Sequence, residues 1–124
     1  MAKQTVEPAV TPTGQPPAAP ASSSEDRWIS DATRELASAV AALRDPDEAL
    51  RFLRDLCTVT ELREFAARWE VARMLDTGTS YHEISDRTGA SSATISRVNQ
   101  WLRYGRDGYR LVLDRQARAR RRRR

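Results

Sequence analysis

The chain has 124 residues and a net charge of +4, which is enough length for one small domain and too little for two. Its single cysteine, Cys57, excludes an internal disulfide and a metal site made of several cysteines. No apolar run reaches the roughly 18 residues of a membrane span, and no apolar segment follows Lys3, so we expect a cytoplasmic protein without a secretion signal.

Residues 1–25 differ in composition from the rest of the chain. They contain five of the six prolines and no aromatic residue, and the remainder is mostly alanine, serine, threonine and glutamine. Such a segment buries too little apolar surface to offset the entropy lost on ordering. We therefore predict a disordered Pro/Ala/Ser-rich arm at 1–25, followed by a helical domain at 26–115.

Three amphipathic helices are predicted between the arm and residue 80. The first runs from about Glu25 to Leu43, and Pro46 begins the second. Thr58 and Glu61 form a capping box that begins the third, which ends near Gly78. Apolar residues three or four positions apart predict the buried faces. These faces comprise Trp28, Ile29, Ala32, Leu36, Val40 and Leu43, then Leu50, Leu53 and Leu56, then Leu62, Phe65, Ala66, Trp69, Ala72 and Leu75.

The run 81–98 has the spacing of two short helices joined by a tight turn. A capping box of the S-x-x-E type starts at Ser80, and Gly89 can adopt the left-handed conformation that ends the first helix. Ser91 or Ser92 can cap the second helix. The apolar positions that hold the pair together are Ile84, Ala90, Ile95 and Val98.

Two helices crossing in this way fit the major groove of DNA, where the second helix contacts base edges. A helical hairpin used only for packing is the alternative, but the spacing favours a helix-turn-helix at 81–100 that binds double-stranded DNA. The outward-facing residues are the predicted DNA contacts: Ser80, Tyr81, His82, Ser91, Ser92, Ala93, Thr94, Ser96, Arg97 and Gln100.

Positive charge is concentrated at the end of the chain. Residues 106–124 carry +7, whereas residues 1–25 carry −1 and residues 26–105 carry −2. A run of arginines cannot pack on itself, so after a short helical piece at 111–113 we predict a disordered arginine tail at 116–124. This tail either solubilises the protein or contacts phosphates non-specifically. The phosphate-contact candidates are Arg118, Arg120, Arg121, Arg122, Arg123 and Arg124.

Several segments point to a known family: LCT at 56–58, RWEVAR at 68–73, the run 80–99 with ATISR inside it, and GYRLVLDR at 108–115. Together they resemble the Trp repressor-like family, and within it the YerC/YecD group. The resemblance implies an all-α fold of about six helices, an intertwined homodimer and a transcriptional regulator, a repressor, that binds operator DNA.

The resemblance also implies an effector site. In the Trp repressor, tryptophan lies between two arginines, and Arg68 and Arg97 stand at those positions in this chain. Trp69 stands where the repressor has a smaller residue, and its bulk would fill an indole pocket. We therefore expect no cofactor, with tryptophan or another small corepressor as the alternative.

Other functions have weaker support in the sequence. The lone His82 has Glu83 and Asp86 beside it but no nucleophile aimed at it, so we predict neither an enzyme nor a metal site. Two further hypotheses remain. One is an RNA- or ribosome-associated protein that uses the arginine tail, with the helical domain as a dimerisation module. The other is an interaction module without nucleic acid. The wide apolar faces favour a homodimer over a compact monomer.

Overall fold

The computed structural model describes residues 26–124, and the arm predicted at 1–25 lies outside the described residues. All regular secondary structure in the described range is helical, which confirms the predicted all-α class. The six helices are α1 (Asp31–Ala41), α2 (Pro46–Leu56), α3 (Val59–Asp76), α4 (Tyr81–Thr88), α5 (Ser92–Tyr104) and α6 (Gly108–Arg122). None of them is long and apolar enough to cross a membrane.

The predicted domain at 26–115 is divided into two compact units, one ending at Asp45 and the other beginning at Pro46. In the first unit, α1 begins at Asp31 and not near Glu25. The reason is a capping box: the Ser30 hydroxyl accepts from the Thr33 N–H at 3.1 Å, and the Thr33 hydroxyl accepts from the Ser30 N–H at 2.7 Å. The sequence contains this signal in the spacing of Ser30 and Thr33.

The predicted apolar face of α1 is not buried. Trp28, which we predicted to be a core residue, is 59% exposed, and Leu36 and Val40 are exposed as well. This unit contains one described helix, so its apolar stripe has no second helix of the same unit to pack against.

The core of the second unit forms around the C-terminal half of α3, against α4 and α5. Its buried cluster consists of Val71, Ala72, Met74, Ile84, Ile95 and Val98, with Trp69, Leu75, Ala90 and Tyr109 packed against it. Cys57 is buried at the α2–α3 junction, as predicted. The predicted burial of Leu50, Leu56 and Phe65 is wrong, because they are 59%, 51% and 45% exposed. Ala66 is also exposed. These residues lie on α2 and the first half of α3, away from the core cluster.

Helix α6 is longer than the predicted piece at 111–113. It continues to Arg122, so most of the segment predicted to be a disordered arginine tail is helical. Arginine has a high helix propensity, and cations in the last turn interact favourably with the helix dipole. Two contacts attach the start of α6 to α3. Tyr109 stacks on Trp69 with ring centroids 6.1 Å apart, and the Arg110 guanidinium donates to the Asp76 carboxylate.

Candidate nucleic-acid interface

Helices α4 and α5 form the predicted helix-turn-helix. Gly89 ends α4 in the left-handed conformation, with φ of 77° and ψ of 2°, as predicted. Ser80 caps α4 by accepting from the Glu83 N–H at 3.2 Å. The reciprocal bond of the predicted capping box is not formed; the Glu83 carboxylate instead lies 3.9 Å from the Arg87 guanidinium, one turn further along α4.

Side-chain hydrogen bonds fix the turn between the two helices. The Ser85 hydroxyl donates to the Ala90 carbonyl at 2.9 Å. The Thr88 hydroxyl donates to the Ile84 carbonyl at 2.7 Å and accepts from the Ala90 N–H at 3.1 Å. These hydrogen bonds were not predicted, although serine and threonine near a helix end commonly bond to the local backbone. They hold α5 at a defined angle to α4.

Ser91, and not Ser92, caps α5: its hydroxyl accepts from the Thr94 N–H at 3.1 Å. Ile95 and Val98 are buried in the core cluster, so the inner face of α5 is packed as predicted. This packing is needed because β-branched residues have modest helix propensity. Burial of Ile95 and Val98 therefore fixes the orientation of α5 and leaves its opposite face toward solvent.

The structure places almost all predicted DNA contacts on the surface of the motif. Thr94 is the exception: it is half-buried, and its hydroxyl is bonded to that of Ser91 at 3.1 Å. His82 is highly exposed, and its Nε2 lies 3.4 Å from an Asp86 carboxylate oxygen on the same helix. The exposed residues are Ser80, Tyr81 and His82 at the start of α4, and Ser91, Ser92, Ala93, Ser96, Arg97 and Gln100 along α5.

The two arginines predicted to hold an effector line the same cavity, which has a volume of about 650 Å³ and lies between α3 and α5. Arg68 and Arg97 share its wall with Trp101, which is 58% exposed, and with Tyr109. Burial raises the pKa of the Tyr109 hydroxyl, and the positive charge of Arg68 offsets part of that rise. Trp69, which we expected to fill an indole pocket, is not among the residues that line this cavity, and its ring is stacked on that of Tyr109, which is.

The predicted phosphate contacts Arg118 and Arg120–Arg124 are all exposed. Those up to Arg122 lie on α6, and therefore at set positions along a helix. Across residues 26–124, no group of three or more His, Cys, Asp or Glu side chains is arranged to hold a metal ion.

An all-α fold with a capped helix-turn-helix and an outward-facing second helix defines a class of DNA-binding regulators. The chain belongs to the Trp repressor family, because the family model described as "Trp repressor protein" matches residues 32–117. Members of this family are DNA-binding regulators and not enzymes.

Individual relatives agree with this assignment. The uncharacterised protein YerC of Bacillus subtilis is 51% identical over 81 residues, which are 65% of this chain and 78% of YerC. A Staphylococcus aureus protein provisionally assigned as a Trp repressor superposes with a TM-score of 0.71 at 38% identity, over 77% of this chain and 96% of that one. A TrpR-like protein from Eubacterium eligens gives a TM-score of 0.69 at 42% identity, with the same coverage of both chains.

Proposed function

We propose that this protein is a transcriptional repressor that recognises operator DNA through α5. The observation that carries the proposal is the division of α5 into two faces. Ile95 and Val98 are buried, whereas Ser92, Ser96 and Arg97 are exposed on the other side. Serine and arginine side chains can bond to base edges in the major groove, and arginine pairs well with guanine.

We propose that the protein binds DNA as a homodimer. In residues 26–124, twelve large hydrophobic side chains are exposed and eight hydrophobic residues are buried. Leu50, Leu56, Phe65, Leu111 and Val112 are among the exposed ones, and they lie on three helices of the same unit. Apolar exposure on this scale is typical of a protein–protein interface. A two-fold dimer presents two reading helices about 34–36 Å apart, which matches half-sites one DNA turn apart.

We also propose a small effector that carries a carboxylate or a phosphate group at the cavity lined by Arg68 and Arg97. Its volume of about 650 Å³ lies within the usual range of ligand pockets. Two guanidinium groups suit a carboxylate or a phosphate. Gly89, Thr94 and Arg97 belong to its wall, so an occupant would touch both the turn and the reading helix. Tryptophan is the first compound to test, by its effect on DNA affinity.

The decisive experiment is selection of binding sites from random duplex DNA by the full chain. We expect enrichment of a two-fold symmetric sequence whose half-sites are one helical turn apart, bound more tightly than a scrambled duplex. A parallel selection from random RNA tests the RNA-associated alternative. Absence of any preferred duplex, or enrichment of RNA only, would contradict the proposed function.

A further inference from the structure

A second cavity lies where α3, α4 and α6 meet. Its volume is about 220 Å³, and each of the three helices contributes one arginine to its wall: Arg73, Arg87 and Arg120. Guanidinium groups repel one another, and several of them around one cavity suit a ligand with negatively charged oxygens. We name this the three-arginine cavity.

The two acids that line the three-arginine cavity are already paired. Glu70 forms an ion pair with Arg73 at 3.1 Å, one turn away on α3. Asp76 is bonded to the guanidinium of Arg110, which lies on α6 outside the cavity wall. Since neither carboxylate is paired with Arg87 or Arg120, the positive charge of those two arginines is not cancelled by the cavity's own acids.

Arg87 and Arg120 retain donors for a ligand. The Arg87 guanidinium is 3.9 Å from a Glu83 oxygen, and both side chains are mostly exposed, so this pair contributes little to stability. No carboxylate in the described residues lies within ion-pair distance of Arg120, which is also exposed. A phosphate oxygen can approach both groups without breaking a strong bond.

Arg120 reaches this cavity because α6 remains helical beyond residue 115. Leu113, Gln116 and Arg120 share one face of the helix at spacings of three and four, and all three line the cavity. Leu113 is buried and anchors that face. The helix therefore holds one guanidinium of the arginine tail beside Arg73 and Arg87, whereas a disordered tail would spread its charge over many positions.

We propose that the three-arginine cavity binds a phosphate group, and that its source is a backbone phosphate of DNA beside the segment that α5 contacts. Arg87 lies in the last turn of α4, so a phosphate held there sits at a set distance from the reading helix. The DNA source rests on the proposed function. A free phosphate compound is the other source of the same chemistry.

The test uses the double variant R87Q/R120Q in the full chain. Both residues are exposed, and glutamine keeps a good helix propensity while removing the charge. Arg73 is left unchanged because of its bond to Glu70. The matched control is R51Q/R63Q, which removes the same charge from exposed positions on α2 and α3 outside the cavity.

Affinity is measured between about 50 and 200 mM salt, on the selected duplex and on a scrambled one. The proposed homodimer has two three-arginine cavities, and each of them holds one phosphate. Each lost phosphate contact lowers the log–log salt slope by about 0.9, so R87Q/R120Q should lower it by about 1.8 per dimer on both duplexes. Over this fourfold salt range, the loss of affinity becomes about twelvefold smaller than in the parent. The control should keep the parent slope.

A second arm follows inorganic phosphate binding to the parent and to R87Q/R120Q by phosphorus NMR at constant ionic strength. If the slope is unchanged but the parent binds phosphate and the variant does not, the site stands and its ligand is a free phosphate compound. If the slope is unchanged and neither protein binds phosphate, the proposal of a phosphate site is overturned. The proposed DNA-binding function is still supported in that case if the parent binds the selected duplex more tightly than the scrambled one. If the parent discriminates no duplex, the proposed function fails and the phosphate arm alone decides.

Discussion

Replacement of Gly89 isolates the backbone strain in the turn between α4 and α5. Its φ is 77°, and a Cβ built there meets no atom within 4 Å, so alanine adds strain without a collision. A left-handed backbone costs an alanine about 1–2 kcal/mol. The lower entropy of the unfolded chain returns about 0.4–1 kcal/mol. We expect Gly89→Ala to destabilise the protein by about 1 kcal/mol, and Gly89→Val by more because its side chain is β-branched.

Thermal unfolding at a fixed protein concentration measures this effect, since a dimer's Tm depends on concentration. A loss of about 1 kcal/mol lowers the Tm of a domain of this size by roughly 4–8 °C. Gly89→Val should lose specific DNA binding together with stability, because the angle between α4 and α5 depends on this turn.

Two matched variants make the experiment specific. Gly89→Asn should cost less than Gly89→Ala, because asparagine tolerates the left-handed conformation. Gly108→Ala should be neutral or slightly stabilising, since Gly108 begins α6 without a positive φ and also has open space at its Cβ. Equal Tm values for Gly89→Ala and Gly108→Ala would refute the left-handed turn, and with it the helix-turn-helix at its most demanding position.

Other predictions concern the outer face and the end of α5, the Thr58 cap of α3 and the arginine tail. Arg97→Ala should weaken binding to the selected duplex by about 1–3 kcal/mol and leave the Tm unchanged; unaltered affinity would mean that a different face enters the groove. Gly105→Ala places a Cβ 2.3 Å from a backbone carbonyl oxygen of α5, so its urea midpoint should fall well below the parent's. Thr58→Ala should cost about 1 kcal/mol in a urea titration. The hydrogen bond from the Thr58 N–H lowers the pKa of Glu61. The stability contributed by the ionised Glu61 carboxylate is therefore complete above the pKa of Glu61 in the unfolded chain, and it is lost as the pH falls through the lower pKa of the folded protein. An acid titration of stability measures this loss. Deletion of 116–124 should flatten the salt dependence of DNA binding while the ranking of duplexes survives; an unchanged slope would show that the tail contacts no phosphate.

Local features of the fold were predictable from the sequence. The capping box at Thr58, the left-handed Gly89 and the buried pair Ile95 and Val98 all depend on residues within one or two helical turns of each other. Hydrophobic periodicity and cap chemistry report such neighbours directly. The helix-turn-helix was therefore recognisable before its three-dimensional arrangement was known.

Long-range features were not predictable in the same way. Periodicity identified an apolar stripe on α2 and α3, but it could not show that Leu50 and Phe65 lie away from the core of the single chain. The bond between Arg110 and Asp76 joins residues 34 positions apart and has no local signature. Most of the arginine tail is helical for a different reason: the helix propensity of arginine and the anchor at Leu113 outweigh the repulsion between the charges.

The orientation of α5 is determined mainly by its packing against α3. Ile95 and Val98 pack on Val71 and Ala72 of α3, and the same helix holds α6 through the stack of Trp69 on Tyr109. Both cavities open between α3 and a helix of the DNA-binding motif, so a ligand in either one touches the element that orients α5. If DNA and an effector bind as proposed, α3 is the element through which they would influence each other, because it packs on α5 and lines both cavities.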